Sequence, residues 1–345
     1  MNEVTRPEDK ETILLEASQL KKYFPIKKGL FKKTVGHVRA VDDVTLAIKK
    51  GETFGLVGES GSGKSTLGRV LLKLHEPTGG KVTFKGVAIQ EFKGQSLRNI
   101  RKEMQIIFQD PFASLDPRFT IRDIIAEPFQ IHRSLSGQAL ENRIDELLER
   151  VGLDPARKHA YPHEFSGGQR QRVGIARAIA LNPDFIVADE AVSALDVSVQ
   201  AQVINLLKEL QDDLGLTYLF IAHGLNVVRH ISDRVGVMYL GQLVEVGPTD
   251  DLYDNPAHPY TKALIETNPN PNPYKRKKRV LLEGEIPSPA NPPSGCRFHT
   301  RCPMATEFCK KEAPVLENVA DDRWVACHYP IHQQKGDKTN EKETV

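Results

Sequence analysis

Eight consecutive residues, Gly58-Glu59-Ser60-Gly61-Ser62-Gly63-Lys64-Ser65, followed by Thr66, have the make-up of a loop that holds phosphate. Glycines let the backbone wrap an anion with several amide N–H groups pointing inward, and a helix starting at the loop's end adds partial positive charge. The spacing G-x-x-x-x-G-K-S assigns Lys64 to the β- and γ-phosphates of a nucleotide and the Ser65 hydroxyl to Mg²⁺. A second element, Ser166-Gly167-Gly168-Gln169, offers a serine hydroxyl and bare glycine amides where an apolar-periodic helix begins, which is a second anion site. One chain does not easily bring both sites onto one γ-phosphate. Two subunits packed head to tail do, each nucleotide closing between one phosphate loop and the other subunit's second site. A third group, Cys296, Cys302, Cys309 and Cys327, is spaced C-x5-C-x6-C-x17-C and offers four thiolates. These suit tetrahedral Zn²⁺ or an iron–sulfur cluster, with reduced structural cysteines as the plain alternative. His299 and His328 stand beside them, as substitute ligands or as loop histidines.

These groups need strands and helices to hold them. The apolar run 53–57 enters the phosphate loop and residues 65–74 leave it at helical spacing, giving strand, loop, helix. Apolar runs at 185–188 and 218–222 read as further strands, the first ending on Asp189 and Glu190, the second on His223. Strands alternating with helices predict a mostly parallel sheet with its chemistry at the carboxyl ends. Residues 13–48 read as antiparallel strands, 121–130 and 140–151 as helices, and 235–246 as a hairpin about Gly241. The proline- and asparagine-rich stretch 255–293, with the basic run Lys275-Arg276-Lys277-Lys278-Arg279, reads as a linker toward a separate cysteine module. The first ten residues read as frayed, and the polar tail 333–345 as disordered.

At 345 residues the chain has room for one large domain and an appendage. Its 47 basic and 45 acidic residues leave a net charge of +2, which argues against a general nucleic-acid coat. No stretch approaches the roughly 18 apolar residues of a membrane span, and the polar start has no apolar signal core. The expectation is a cytosolic protein, or one held at a membrane only through partners. Cysteines confined to one segment of such a chain speak against a disulfide framework.

The phosphate loop and the Ser-Gly-Gly-Gln element, in this order, resemble the ATP-binding cassette family over about residues 12–250. The resemblance implies an α/β fold: a RecA-like P-loop core with an antiparallel β subdomain and an inserted helical subdomain at about 111–168, followed here by a linker (251–293) and a small cysteine module (294–332). It also implies roles. Gln109, in Phe108-Gln109-Asp110-Pro111, senses Mg²⁺ and the attacking water; Asp189 binds Mg²⁺ through water; Glu190 acts as general base; His223 contacts the γ-phosphate. Asp196, in Ser193-Ala194-Leu195-Asp196, reads the partner's site, and Phe24 or its neighbour Tyr23 stacks on adenine. Two residues depart from the family pattern: Ala191 stands where proline is usual and Gly224 where aspartate is usual.

The segments 108–117, 193–202 and His258-Pro259-Tyr260-Thr261, followed by the cysteines, are similar to ATPase subunits of oligopeptide and dipeptide importers, and the stretches beginning at Lys21 and Val35 resemble the second ATPase of such a pair. This implies a heterodimer with a homologous ATPase on the cytoplasmic face of the membrane, two transmembrane permease subunits, an extracytoplasmic peptide-binding protein as indirect partner, and no nucleic acid. ATP and Mg²⁺ are the implied cofactors. The likeness favours a [4Fe-4S] cluster at the four cysteines, with Zn²⁺ as the alternative. The rival readings are an importer of nickel or another small solute, and a soluble cassette protein acting on nucleic acid.

Overall fold

The computed structural model describes residues 12–29, 32–222, 224–267 and 284–331. His223, the basic run at 275–279, the first eleven residues and the tail from 332 lie outside the described residues.

Two long strands open the chain, β1 (Ile13–Lys28) and β2 (Lys33–Lys49), followed by β3 (Thr53–Val57), α1 (Lys64–Leu71), β4 (Gly79–Phe84) and β5 (Val87–Ala88). Helix α2 (Gly94–Glu103) leads into β6 (Met104–Ile107), and a helical stretch follows with α3 (Ile121–His132), α4 (Gly137–Arg150) and α5 (Gly167–Ile179). Then come β7 (Phe185–Asp189), α6 (Val197–Leu214), β8 (Thr217–Ala222), α7 (Leu225–Ile231), β9 (Arg234–Tyr239) and β10 (Gln242–Pro248). The chain continues through α8 (Thr249–Asp254), α9 (Pro259–Thr267), α10 (Glu307–Lys311), β11 (Glu317–Ala320) and β12 (Arg323–Val325).

Strands β3, β7 and β8 are buried along their whole length, so they read as continuous apolar runs and sit inside a parallel sheet covered on both faces. The strand order is β11-β12-β10-β9-β3-β8-β7-β6, with β9, β3, β8, β7 and β6 mutually parallel. A second sheet, β2-β1-β4-β5, is antiparallel. Period-two alternation divides the core. Phe185, Val187, Leu219 and Ile221 face the antiparallel sheet and α1, while Ile186, Ala188, Tyr218 and Phe220 face the opposite layer, which includes α3, α4, α5 and α6. The hairpin about Gly241 is confirmed: Leu240 and Gly241 both have positive φ (43° and 85°), as a two-residue turn between twisted strands requires.

Two expectations are corrected. Residues 255–293 are not linker throughout, because Pro259 starts α9, where its missing N–H costs nothing, and Tyr260, Thr261 and Ala263 are buried. Nor is the cysteine segment a free-standing module. β12 adds to β10 as an antiparallel strand, pairing Val325 with Glu245 and Trp324 with Val246, and Phe298 lies in the main core against Tyr239 and Tyr260. Buried Glu245 ties the junction by accepting from the N–H groups of Ala257 (2.9 Å) and His258 (2.8 Å) and from Arg323 (2.9 Å).

Candidate active site

Loops at the carboxyl ends of β3, β6 and β7 enclose a cleft of about 300 Å³. Ser60, Gly61, Gly63, Lys64, Ser65, Thr66, Gln109 and Glu190 line it, so eight of the residues singled out from sequence meet at one opening. Two glycines are required sterically. A Cβ on Gly58 (φ +152°) would lie 2.1 Å from the Met238 carbonyl oxygen, and one on Gly63 (φ +103°) 1.9 Å from that of Ala40. Lys64 is 3% exposed, and its ammonium donates to the carbonyls of Gly58 (2.7 Å) and Glu59 (3.1 Å). Burial lowers its pKa, against the opposing pull of Glu190, Asp189 and Glu59.

Opposite the lysine stand two carboxylates at the end of β7. Asp189, 2% exposed, accepts from Ser65 Oγ at 2.6 Å and pairs with Arg69 at 3.7 Å. Glu190 is 5% exposed, accepts from Gln109 Nε2 at 2.5 Å, and adopts φ +50°, a left-handed conformation that costs a non-glycine residue free energy and that recurs at functional sites. Its own N–H donates to the Ile221 carbonyl and its carbonyl accepts from Ser193 N–H, both at 3.0 Å, so neighbouring backbone holds it there. The cradle fits a Mg²⁺-nucleotide. It combines Gly61 and Gly63 at the opening, a buried ammonium and a hydroxyl beside a carboxylate.

Ser166 caps α5: its hydroxyl accepts from Gln169 N–H (3.4 Å) while Gln169 Oε1 accepts from Ser166 N–H (3.1 Å). A Cβ on Gly168 would lie 2.4 Å from Val199 Cγ1, so this helix start packs directly on the start of α6. Asp196 caps α6, accepting from Val199 N–H at 3.0 Å, which lowers its pKa. Ser166 and Asp196 are exposed, and none of Ser166, Gly167, Gly168, Gln169 and Asp196 lines the cleft of their own chain.

The two aromatic candidates separate. Tyr23 pairs with Arg39 across β1 and β2, and its hydroxyl donates to Asp42; burial and that bond push its pKa up to about 12. Phe24 pairs with Val38, a residue that lines the cleft, and its ring meets His75 edge-on at 5.7 Å. Of the departures, Gly224 has φ −99°, open to any residue, with nothing within 4 Å of a Cβ; Ala191 is buried in the core.

All four cysteines line one small cavity, together with His258, His299 and His328. Burial raises the thiol pKa of Cys296, Cys302 and Cys327, the last to about 11, and proximity to the other thiols acts in the same direction. His299 Nδ1 contacts the Cys296 carbonyl (2.8 Å) and His328 Nε2 that of Glu312 (2.9 Å). Among the described residues no group of three or more His, Cys, Asp or Glu side chains has the arrangement of a metal site. Four cysteines lining one cavity suit a four-thiolate centre in residue type, while among the described residues their arrangement is not that of a formed metal site.

Residues 41–193 match the family model of ABC transporters, and residues 244–309 match that of the oligopeptide/dipeptide transporter C-terminal region. The chain is 56% identical over 323 residues to the oligopeptide transport ATP-binding protein AppF of Bacillus subtilis, covering 93% of this chain and 98% of that one. It belongs to the ABC transporter family. Other members close to this cassette include the oligopeptide transport ATP-binding protein OppF of Salmonella typhimurium (53% identity, 90% and 94% covered) and the dipeptide transport ATP-binding protein DppF of Haemophilus influenzae (49%, 94% and 99%). The cassette fold is that of MJ0796, solved as a dimer in a post-hydrolysis state bound to ADP and Pi: TM-score 0.61 at 30% identity, over 68% of this chain and 99% of that one. Among the described residues of this ABC protein no helix is long and apolar enough to cross a membrane.

Sequence reasoning missed three residues that line the cassette's cleft, Val38 and Ala40 on β2 and Pro289, whose carbonyl accepts from Arg39 N–H at 3.1 Å, and it missed Arg301, which grips Glu59 of the phosphate loop. Val38 and Ala40 were reachable, since alternate residues of a strand share a face. Nothing in the spacing of Pro289 or Arg301 points to a loop more than 200 residues earlier.

Proposed function

We propose that this chain is the ATP-binding and ATP-hydrolysing subunit of an importer of oligopeptides or dipeptides, peripheral on the cytoplasmic face of the membrane. One observation carries the reading: an ABC cassette and an oligopeptide/dipeptide transporter C-terminal region follow one another in a single chain whose relatives, at 49 to 56% identity, are named peptide transport ATP-binding proteins. ATP hydrolysis supplies the work. Its partners are a homologous ATPase in a heterodimer, two permease subunits, and indirectly a peptide-binding protein; the exposed Ser166 and Asp196, absent from their own cleft, support a site completed by a second subunit.

In this reading the loop amides and Lys64 neutralise the β- and γ-phosphates, and Ser65 and Asp189 hold Mg²⁺. Glu190 accepts the proton of the attacking water, and Gln109, bonded to it, aligns that water from the β6 side. His223 takes the γ-phosphate contact. Phe24 is the better adenine platform, because it shares a face with Val38 while Tyr23 is tied to Asp42. Ser166, Gly167, Gly168 and Gln169 close the partner's nucleotide and Asp196 reads across the interface. Closure of the dimer moves the α3–α4 region, and the permease changes its access with it.

Cys296, Cys302, Cys309 and Cys327 hold a [4Fe-4S] cluster in preference to Zn²⁺. Bound there, it would tie together the loops that carry the four cysteines. The deciding experiment for the transport reading is detergent co-purification of the tagged chain from native membranes with mass spectrometry of what is retained. Two multispanning permeases and a second ATPase are expected. A chain found soluble with nucleic acid or ribosomes overturns the reading.

A further inference from the structure

Glu59, the second residue of the phosphate loop, is held at both its ends by residues that follow β10 in the chain. The Arg301 guanidinium donates to both carboxylate oxygens, Nη1 to Oε2 at 2.7 Å and Nη2 to Oε1 at 3.0 Å. The Tyr260 hydroxyl, from α9, accepts the Glu59 backbone N–H at 2.9 Å. Neither holder is loose. The Arg301 side chain is 4% exposed and lies over Tyr239, and Tyr260 packs on Tyr239 and Phe298 with ring centroids 4.7 and 5.3 Å away. A bidentate arginine–carboxylate pair fixes direction as well as distance.

Two consequences reach the nucleotide loop. The Glu59 carbonyl is one of the two oxygens that receive the Lys64 ammonium, so orienting Glu59 orients the lysine's anchor. The Glu59 carboxylate is also a negative charge on a loop built for polyphosphate, and Arg301 neutralises it where it stands. We propose that Arg301 and Tyr260 are positioning residues of the nucleotide site, through which the cysteine-bearing extension sets ATP affinity. The inference rests on the reading of the loop as an ATP site.

The test uses the full chain titrated with MgATP, with Lys64→Ala as the control that loses binding. Arg301→Ala should weaken binding about tenfold, the scale expected when a partly buried carboxylate loses its partner. Adding Glu59→Gln to that variant should recover much of the loss, because the uncompensated charge is gone. A purely structural role predicts a further loss instead, and that result, or Arg301→Ala binding within about twofold of the parent, overturns the proposal. Should Arg301→Ala not fold, Tyr260→Phe keeps the ring packing and deletes only the acceptor. It should weaken MgATP about threefold with the fold retained by circular dichroism and only a modest fall in melting temperature, and parental affinity overturns the proposal. If the parent itself fails to bind MgATP, the ATP reading falls instead.

Discussion

Gln109 Nε2 donates to Glu190 Oε2 at 2.5 Å across 81 residues of sequence, joining the loop after β6 to the end of β7. The carboxylate at the centre of the proposed chemistry is thus bonded to the loop that leads into the α3–α4 region. Glu190 is also held at φ +50° by backbone bonds to Ile221 and Ser193.

Glu190→Gln keeps the side chain's shape and removes its basicity. MgATP binding should persist while hydrolysis falls by roughly 10² to 10⁴, and a closed dimer with the partner ATPase should accumulate on size-exclusion chromatography. Unchanged turnover in the assembled complex would remove Glu190 from its role.

Gly63→Ala puts a methyl group 1.9 Å from the Ala40 carbonyl at a φ of +103°. The loop must open or β2 must shift. We expect about 2 kcal/mol of destabilisation in chemical denaturation, together with loss of MgATP binding.

Ser166→Arg leaves the residues lining its own cleft untouched. Nucleotide binding by the isolated chain should match the parent, whereas the assembled transporter should lose most of its ATPase activity because the partner's site no longer closes. Normal activity in the complex would count against the head-to-tail arrangement.

Asp42 gives a pH dependence with a definite sign. Burial pushes its pKa up, but the bonds from Tyr23 and Arg297 outweigh burial and hold it below the usual aspartate value. Its contribution to stability is therefore complete above the ordinary aspartate pKa and is lost as pH falls through the lower folded value. Asp42→Asn should cost about 3 kcal/mol at pH 7, since it leaves the Arg297 charge buried without a counter-ion. The gap in denaturant midpoint between variant and parent should narrow as the pH is taken below about 4.

Anaerobic purification followed by metal and sulfide analysis should return about four iron and four sulfide per chain. One equivalent of zinc without sulfide would end the cluster reading.

The cleft was legible because its chemistry is local. A glycine-rich loop between strand and helix and a carboxylate pair closing an apolar strand are short-range patterns, each where its element ends in space, and the serine-glycine helix start, equally local, lies away from this cleft. The choice between Tyr23 and Phe24 was not legible, because adjacent strand residues differ only in face, and the face depends on β2, where Val38 meets Phe24 and Asp42 takes the tyrosine hydroxyl. Helix α9 was hidden by its own composition: the prolines and asparagines around it signal a loop, and only the burial of Tyr260 against Tyr239 and Phe298 makes that stretch part of the core.

The amino-acid order alone decided the cassette elements, their sequence along the chain and the residue types at the phosphate loop, since these follow from side-chain periodicity and backbone freedom within a few residues. Tertiary structure alone decided that the cysteine-bearing extension reaches the phosphate loop. Arg301 meets Glu59 over 242 residues and β12 completes the core sheet beside β10, and contacts of that range arise from how layers pack, which no local spacing records.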